Sequence, residues 1–404
     1  MPSAGDYLVG IEIGSDKTAI LVAAPDTHGF EVLGFASVPT AGLKNGAVTS
    51  IPELSATVEK AVMEAESLSK KPIHAVHLSL FGDYFRMQKR QGELEIRSRK
   101  GEVMEDDRQA VIKKVFPGTS PEYEIIHSVI QEYLLDGRRQ IKNPVGMFGQ
   151  HLAINLFLIS AAANRIKDLK HCLEEINLET ELVTFAPLVA AEAVLTSEEM
   201  ESGVAYLDFG RSATTVLIFN STLREVESVG RGGARVNYAL AYCLKTTSSE
   251  AERVKKEKGS CLMDVEPHEF TISDIQGEVR QTTNRREVAE IIEAELKDIL
   301  RVFHPLLSKY RPMLTAGIVL GGGGALLHGL PELLAEELDV PVRIGTARQF
   351  RGWEKVLKDP AYNSLIGTVH AAIQYNKEKS QSSNRKPGVK KIFNRIKHLW
   401  DELF

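Results

Sequence analysis

Short blocks of alternating apolar and polar residues run through much of the chain, and two of them repeat one design. Residues 7–23 read YLVGIEIGSDKTAILVA and residues 204–219 read VAYLDFGRSATTVLIF. Each is an apolar strand, a carboxylate, one apolar residue, a glycine, a tight polar turn and a returning apolar strand. Glu12 and Gly14 correspond to Asp208 and Gly210 at a constant offset of 196 positions. A strand period of two with glycine at the bend predicts a β-hairpin. Such a turn exposes backbone N–H groups and hydroxyls (Ser15, Thr18; Ser212, Thr214) that suit phosphate oxygens. Two facing hairpins would clamp a phosphate chain between related domains, with one carboxylate from each side for a metal.

The pattern around these hairpins predicts an α/β protein. Strands are expected at 7–13, 18–23 and 30–38, a helix at 54–69 and a strand at 73–80, an order that folds into a mixed sheet covered by helices. From 82 to 149 charges become dense and helix signals short, which marks a small inserted α+β subdomain. A strand at 152–160, a helix at 166–176, an apolar pair at 182–183 and a helix at 190–195 follow. The second three-strand unit is expected at 204–209, 214–219 and 223–229, broken by GRGG at 230–233. A charged, mostly helical block fills 249–310, with a long helix at 288–307. A buried strand at 318–320 enters four glycines, 321–324, and a helix starts at 330. The polar run 377–388 reads as a linker of the disordered type, and a last helix is expected at 389–404.

Composition narrows the setting. A chain of 404 residues exceeds one ordinary core and predicts two or three domains. The formal charge is −5, yet residues 377–404 hold eight Lys/Arg against three Asp/Glu, leaving −10 for the rest. An acidic body with a basic tail argues against a nucleic-acid groove and for an anionic surface met by the tail. Cys172, Cys243 and Cys261 are scattered and lack metal spacing, as expected in a reducing cytosol. The opening MPSAGD is no secretory signal, and no run approaches the ~18 apolar residues that span a bilayer.

Four motifs carry candidate chemistry. In GIEIGSDK (10–17), Glu12 is suited to a metal-bound water, Gly14 to close backbone approach by an anion, and Lys17 to terminal phosphates. The same residues also make an ordinary hairpin, and Asp16 sets a negative charge where phosphate would sit. DFGRSATT (208–215) repeats the logic with Asp208, Gly210, Ser212 and Thr214, and Arg211 adds a phosphate contact; a lone D-x-G is common, and its duplication gives it weight. Gly321 to Gly324 follow a strand and precede a helix, which suits a flat ring or sugar lying on the backbone as well as a plain Gly-rich turn. Neither Walker nor Rossmann spacing is present. Glu252 and Lys255 in AERVK share a helical face, either to reach one ribose or to form a solvated i,i+3 ion pair.

The most specific physical signal is terminal. Val389, Ile392, Phe393, Ile396, Leu399, Trp400, Leu403 and Phe404 recur at helical spacing as one apolar stripe, with Lys390, Lys391, Arg395 and Lys397 off it. Bulky apolar residues flanked by bases behind a polar tether describe an interfacial membrane anchor, with docking on the core or a partner groove as the alternative. Each basic residue near an anionic leaflet contributes about 1 kcal/mol.

Taken in order, these motifs resemble the actin-like ATPase superfamily, and within it the bacterial FtsA family of cell-division proteins. The resemblance rests on EIGSDK (12–17), GAV (46–48), PVGMFG (144–149), APL (186–188), GRGG, AERVK, GGGG, YNSLIG (362–367) and the tethered amphipathic helix, and so covers essentially the whole chain. It implies a bilobed, duplicated RNase H-like fold. The first lobe would be 1–82, continued at 151–196, with an inserted subdomain at 83–150. The second lobe would be 197–235 with an outer subdomain at 236–310, continued at 311–376 and returning to the first. A linker (377–388) and a membrane-targeting helix (389–404) would complete it.

The resemblance further implies ATP and Mg2+ in the cleft. Gly14, Ser15, Lys17, Gly210, Ser212 and Thr214 would meet phosphates, and Glu12 and Asp208 would flank the metal. Gly233, Glu252, Lys255, Gly322, Gly323 and Gly324 would surround ribose and adenine. Implied partners are the tubulin-like protein FtsZ, bound near 236–310, the inner leaflet of the cytoplasmic membrane, other division proteins, and further copies in a filament. Departures from the family pattern at Glu12, Asp16, Ala186, Ala213, Thr215 and Ala239 imply a nucleotide-gated scaffold with weak or no ATPase turnover. A pilus-assembly adaptor of the PilM type, or an ATP-hydrolysing sugar kinase or Hsp70-like enzyme, are the alternatives.

Overall fold

The computed structural model describes residues 7–98, 100–116, 118, 120–277, 280–382 and 396–397. The first lobe opens with β1 (Leu8–Ile13), β2 (Lys17–Asp26) and β3 (Gly29–Pro39). Two short strands, β4 (Leu43–Lys44) and β5 (Ala47–Val48), then lead to helix α1 (Ile51–Ser69) and β6 (Ala75–Leu80). Ser50 starts α1 by accepting the Glu53 N–H, Pro52 sits in its first turn, and Lys70 ends it in the left-handed region. Its buried stripe of Leu54, Val58, Ala61 and Ala65 packs on the first-lobe core. Each fully buried Leu or Val there stabilises by about 1.5–3 kcal/mol.

The insertion follows: β7 (Phe85–Glu95), α2 (Glu105–Val115), β8 (Tyr123–Leu135), β9 (Arg138–Ile141) and β10 (His151–Ala162). The strand expected at 152–160 belongs here and not to the continued first lobe, because β10 pairs along its length with both β7 and β8. Hydrogen bonding therefore carries the insertion past the expected boundary at 150. PVGMFG closes it: Val103 N–H donates to Met147 O at 2.8 Å, and Glu102 bridges Phe148.

The chain returns through α3 (Ala163–Glu174), β11 (Glu179–Phe185) and α4 (Ala186–Val194), and α5 (Ser197–Ser202) leads into the second lobe. That lobe holds β12 (Val204–Phe209), β13 (Thr214–Asn220), β14 (Thr222–Val229), α6 (Gly233–Cys243), α7 (Ser248–Lys258), the hairpin β15 (Glu269–Ser273) and β16 (Arg280–Asn284), and α8 (Arg285–Tyr310). It closes with β17 (Ile318–Gly321), α9 (Leu330–Leu338) and β18 (Val342–Ile344). Then β19 (Phe350–Arg351), α10 (Glu354–Leu357) and α11 (Asn363–Ser382) come back to the first lobe.

The main sheets of the two lobes share one logic. The first runs β11-β6-β1-β2-β3-β19 and the second β14-β13-β12-β17-β18. In each, a fully buried central strand pairs antiparallel with its hairpin partner and parallel with a distant strand. Helices α4 and α11 lie between the sheets, and one apolar cluster runs from Leu21 and Phe30 through Phe185, Leu188, Tyr206 and Leu217 to Leu365 and Val369. A Cβ at Gly367 of α11 would lie 2.0 Å from the Val189 carbonyl of α4, so the two helices meet backbone to backbone. The insertion also reaches the second lobe: Gln131 donates to the Leu223 and Arg224 carbonyls at 2.7 and 3.2 Å, and Lys89 pairs with Glu225 at 2.7 Å.

Two expectations change at the chain's end. The linker expected from 377 begins as the last turns of α11, which extends to Ser382. Of the helix expected at 389–404, only Ile396 and Lys397 are described. They form β20 (Ile396–Lys397), extended and not helical, parallel to Ser128 and Val129 of β8. The open N–H and C=O groups of an edge strand favour such pairing. The expected anchor residues Ile392, Phe393, Leu399, Trp400, Leu403 and Phe404 lie outside the described residues.

Candidate functional site

The two repeated hairpins superpose in register. Glu12 stands opposite Ala19 and Asp208 opposite Thr215, seven positions on in both cases. Each turn closes with the same bond, Gly14 N–H to Lys17 O at 2.9 Å and Gly210 N–H to Ala213 O at 3.0 Å. On their parallel sides Glu12 neighbours Ser79, and Asp208 neighbours Gly321.

Both carboxylates point into one cleft of about 950 Å³, its open mouth included. Glu12, Gly14, Ser15, Lys17, Asp208, Gly210, Ser212, Gly322 and Gly323 line it together. More of its wall comes from the first-lobe residues Leu43, Gly46, Phe81 and Gly82, from α4 (Pro187, Ala190) and from the start of α11 with the turn before it (Ala361, Asn363, Ser364). At Gly322 φ is +76°, and a Cβ would stand 2.5 Å from Asp208 Oδ1. A side chain there would be strained and would press on the carboxylate.

Burial dominates the electrostatics. Burial above all, then the charge of Glu12, pushes the Asp208 carboxyl up to about 7. Glu12 is also raised by burial, against the opposing pull of Lys17 and a 2.7 Å hydrogen bond from the Ser364 hydroxyl. Lys17 donates to the Ala361 carbonyl at 3.1 Å and lies 3.4 Å from the Tyr362 ring centroid. The Ser212 hydroxyl oxygen lines the cleft, buried and without a hydrogen-bond partner among the described residues. A buried orphan hydroxyl is costly, and a ligand oxygen would satisfy it.

This donor set fits a polyphosphate with its cation. Burial raises both carboxyls, with the Glu12 charge adding to it at Asp208, and both would ionise beside a divalent ion. No group of three His, Cys, Asp or Glu residues able to hold a metal occurs among the described residues. Glu12 and Asp208 would thus hold a Mg2+ as a pair, with water and phosphate oxygens supplying its other ligands.

Other expected residues sit differently. Thr214 turns away and donates to the Arg231 carbonyl at 2.7 Å, fastening the GRGG turn; Thr215 faces the cleft instead. The pleat explains the exchange, because the cross-strand partner of Asp208 shares its face. A Cβ at Gly324 would lie 1.9 Å from the Phe209 ring, so this glycine serves packing behind the cleft wall. Gly233, Glu252 and Lys255 cluster beside the cleft. Lys255 Nζ reaches Glu252 Oε2 at 3.1 Å and Gly233 O at 3.4 Å. Burial pushes the Glu252 carboxyl up, but the Lys255 charge and the donors around it outweigh that and hold it down at about 2. Sequence reasoning missed Asn363 and Ser364 as site residues, although YNSLIG marked the segment.

Comparison with known proteins agrees with the geometry. The family model described as "Cell division protein FtsA" matches residues 205–367, and "SHS2 domain inserted in FTSA" matches residues 82–160. The chain is 27% identical to Cell division protein FtsA of Neisseria meningitidis serogroup B, covering 94% of this chain and 93% of that one. It is 29% identical to the Bacillus subtilis protein of that name, covering 91% and 84%. Among solved structures, PilM in a PilM-PilN type IV pilus biogenesis complex shares the fold at TM-score 0.65 and 16% identity, covering 91% of this chain and 98% of that one. MreB5 of Spiroplasma citri bound to ADP does so at TM-score 0.54 and 13% identity, covering 94% and 99%. With the duplicated hairpins, the actin-like lobes and the insertion all in place, this chain belongs to the FtsA family of cell-division proteins.

Proposed function

We propose that the chain is an ATP-binding division scaffold that ties FtsZ filaments to the cytoplasmic face of the membrane and assembles with its own copies. The observation carrying the nucleotide part is the convergence of Glu12, Asp208 and the orphan Ser212 hydroxyl in one interlobe cleft. Glu12 and Asp208 would hold a Mg2+, which would offset the phosphate charge. The helix α4 offers Pro187 and Ala190 to the cleft, groups that neither orient nor deprotonate a water, which supports weak or absent turnover.

Support for the tether is the basic, apolar-striped 389–404 segment together with the absence, among the described residues, of any helix long and apolar enough to cross a membrane. FtsZ would dock on the outer part of the second lobe, at α6 to α8, and self-association would use the insertion. The test is co-sedimentation of FtsZ filaments with anionic vesicles, using the full chain and a form ending at 388, with and without MgATP. The full chain should carry FtsZ to the vesicles and the shortened one should not. Equal recovery with both forms would refute the tether, and no ATP binding by calorimetry would refute the nucleotide reading.

A further inference from the structure

One side chain joins the two hairpin turns. Arg211, in the β12–β13 turn of the second lobe, donates from Nη1 to Asp16 Oδ1 at 3.0 Å in the β1–β2 turn of the first lobe. The same nitrogen reaches Glu252 Oε2 on α7 at 3.3 Å. Asp16 and Arg211 both line the cleft, but with side chains 53% and 35% exposed, whereas Glu12 and Asp208 beneath them are 5% and 7% exposed. The pair therefore stands at the mouth and the metal-type carboxylates on the floor.

The partners are unequal in a way that matters. Glu252 also receives Lys255 Nζ at 3.1 Å and Lys256 Nζ at 3.0 Å, so it stays neutralised when Arg211 leaves. Asp16 has Arg211 as its ion-pair partner. Losing it would leave an uncompensated carboxylate at the cleft mouth, and a phosphate there would repel it. Lys17, the other cation of the paired turns, is likewise held on protein groups, the Ala361 carbonyl and the Tyr362 ring.

We propose that Arg211 and Asp16 form a phosphate-operated latch across the cleft. The guanidinium spans the two lobes until a nucleotide phosphate enters and takes it over, since a phosphate offers it a bidentate, charge-assisted partner. Asp16, now unpaired beside an anion, swings outward and the two turns separate. Asp16 thus slows nucleotide entry by holding Arg211, and not simply by repelling phosphate. The latch rests on the nucleotide reading above and concerns how that site is entered.

The experiment measures association rates of a fluorescent ATP analogue with Mg2+ on the full chain by stopped flow. Wild type, Asp16→Asn, Arg211→Gln and the double variant are compared. Breaking the latch should speed association about twofold to fivefold in Asp16→Asn, the range for an exposed charge pair. In the Arg211→Gln background the same Asp16 change should have a clearly smaller effect, because only repulsion of the incoming phosphate remains to be relieved. The swapped pair, Asp16→Arg with Arg211→Asp, should restore slow entry. An Asp16→Asn acceleration of equal size in both backgrounds would overturn the latch in favour of simple repulsion. Absence of binding in all five proteins would refute the nucleotide reading itself, and the latch with it.

Discussion

Replacing Asp208 by Asn tests whether the cleft stores unfavourable charge. The folded carboxyl titrates at about 7, against an ordinary value of 3.8. Between these values the native state keeps a proton that the unfolded chain has released. Stability therefore falls as pH rises, by about 1.4 kcal/mol per pH unit, and the full loss of about 4 kcal/mol is reached above pH 7. The substituted amide would be neutral throughout and escape this loss. The advantage of Asp208→Asn over wild type should then grow by about 2 kcal/mol between about pH 5.5 and about pH 8. Urea unfolding followed by circular dichroism, without nucleotide and with a chelator, reads that difference, and titrations remote from the Glu12–Asp208 pair cancel between the two proteins. Adding MgATP should reverse the order, stabilising wild type and leaving the variant nearly unchanged. A stability difference independent of pH would refute the argument.

Ser212→Ala should weaken MgATP binding several-fold in calorimetry while leaving the melting temperature level or slightly raised, because it removes a buried unpaired hydroxyl. Gly324→Ala should lower unfolding free energy by about 1–3 kcal/mol, since its Cβ would strike the Phe209 ring; an unchanged denaturation midpoint would count against that packing. Thr214→Val, which frees the Arg231 carbonyl, should cost about 1 kcal/mol in the same assay. Gln131→Ala should increase protease cleavage between the insertion and the second lobe, because two β14 carbonyls lose their donor.

Much of the cleft was legible in the sequence because its two halves are copies. The Glu12 and Asp208 strands share spacing, and a common spacing implies a common register, which puts both carboxylates at equivalent positions. What escaped was contact between distant segments. Residues 363–369 of α11 are all buried, so no amphipathic stripe announced the helix, and its Ser364 bond to Glu12 spans 352 positions. Place along the turn points to Thr214, whereas the pleat puts Thr215, the cross-strand partner of Asp208, on the cleft face. The extent of the insertion was hidden for a similar reason, since β10 is apolar enough to suit either sheet and only pairing with β7 and β8 decides.

The bare meeting of Gly367 with the Val189 carbonyl has a mechanical meaning. Where two helices touch without side chains between them, no knob has to leave a hole for one to turn against the other. That spot would thus suit an axle. Jaw motion there would be a rotation with little sliding, and a single added methyl would act as a wedge that props the jaws at one angle.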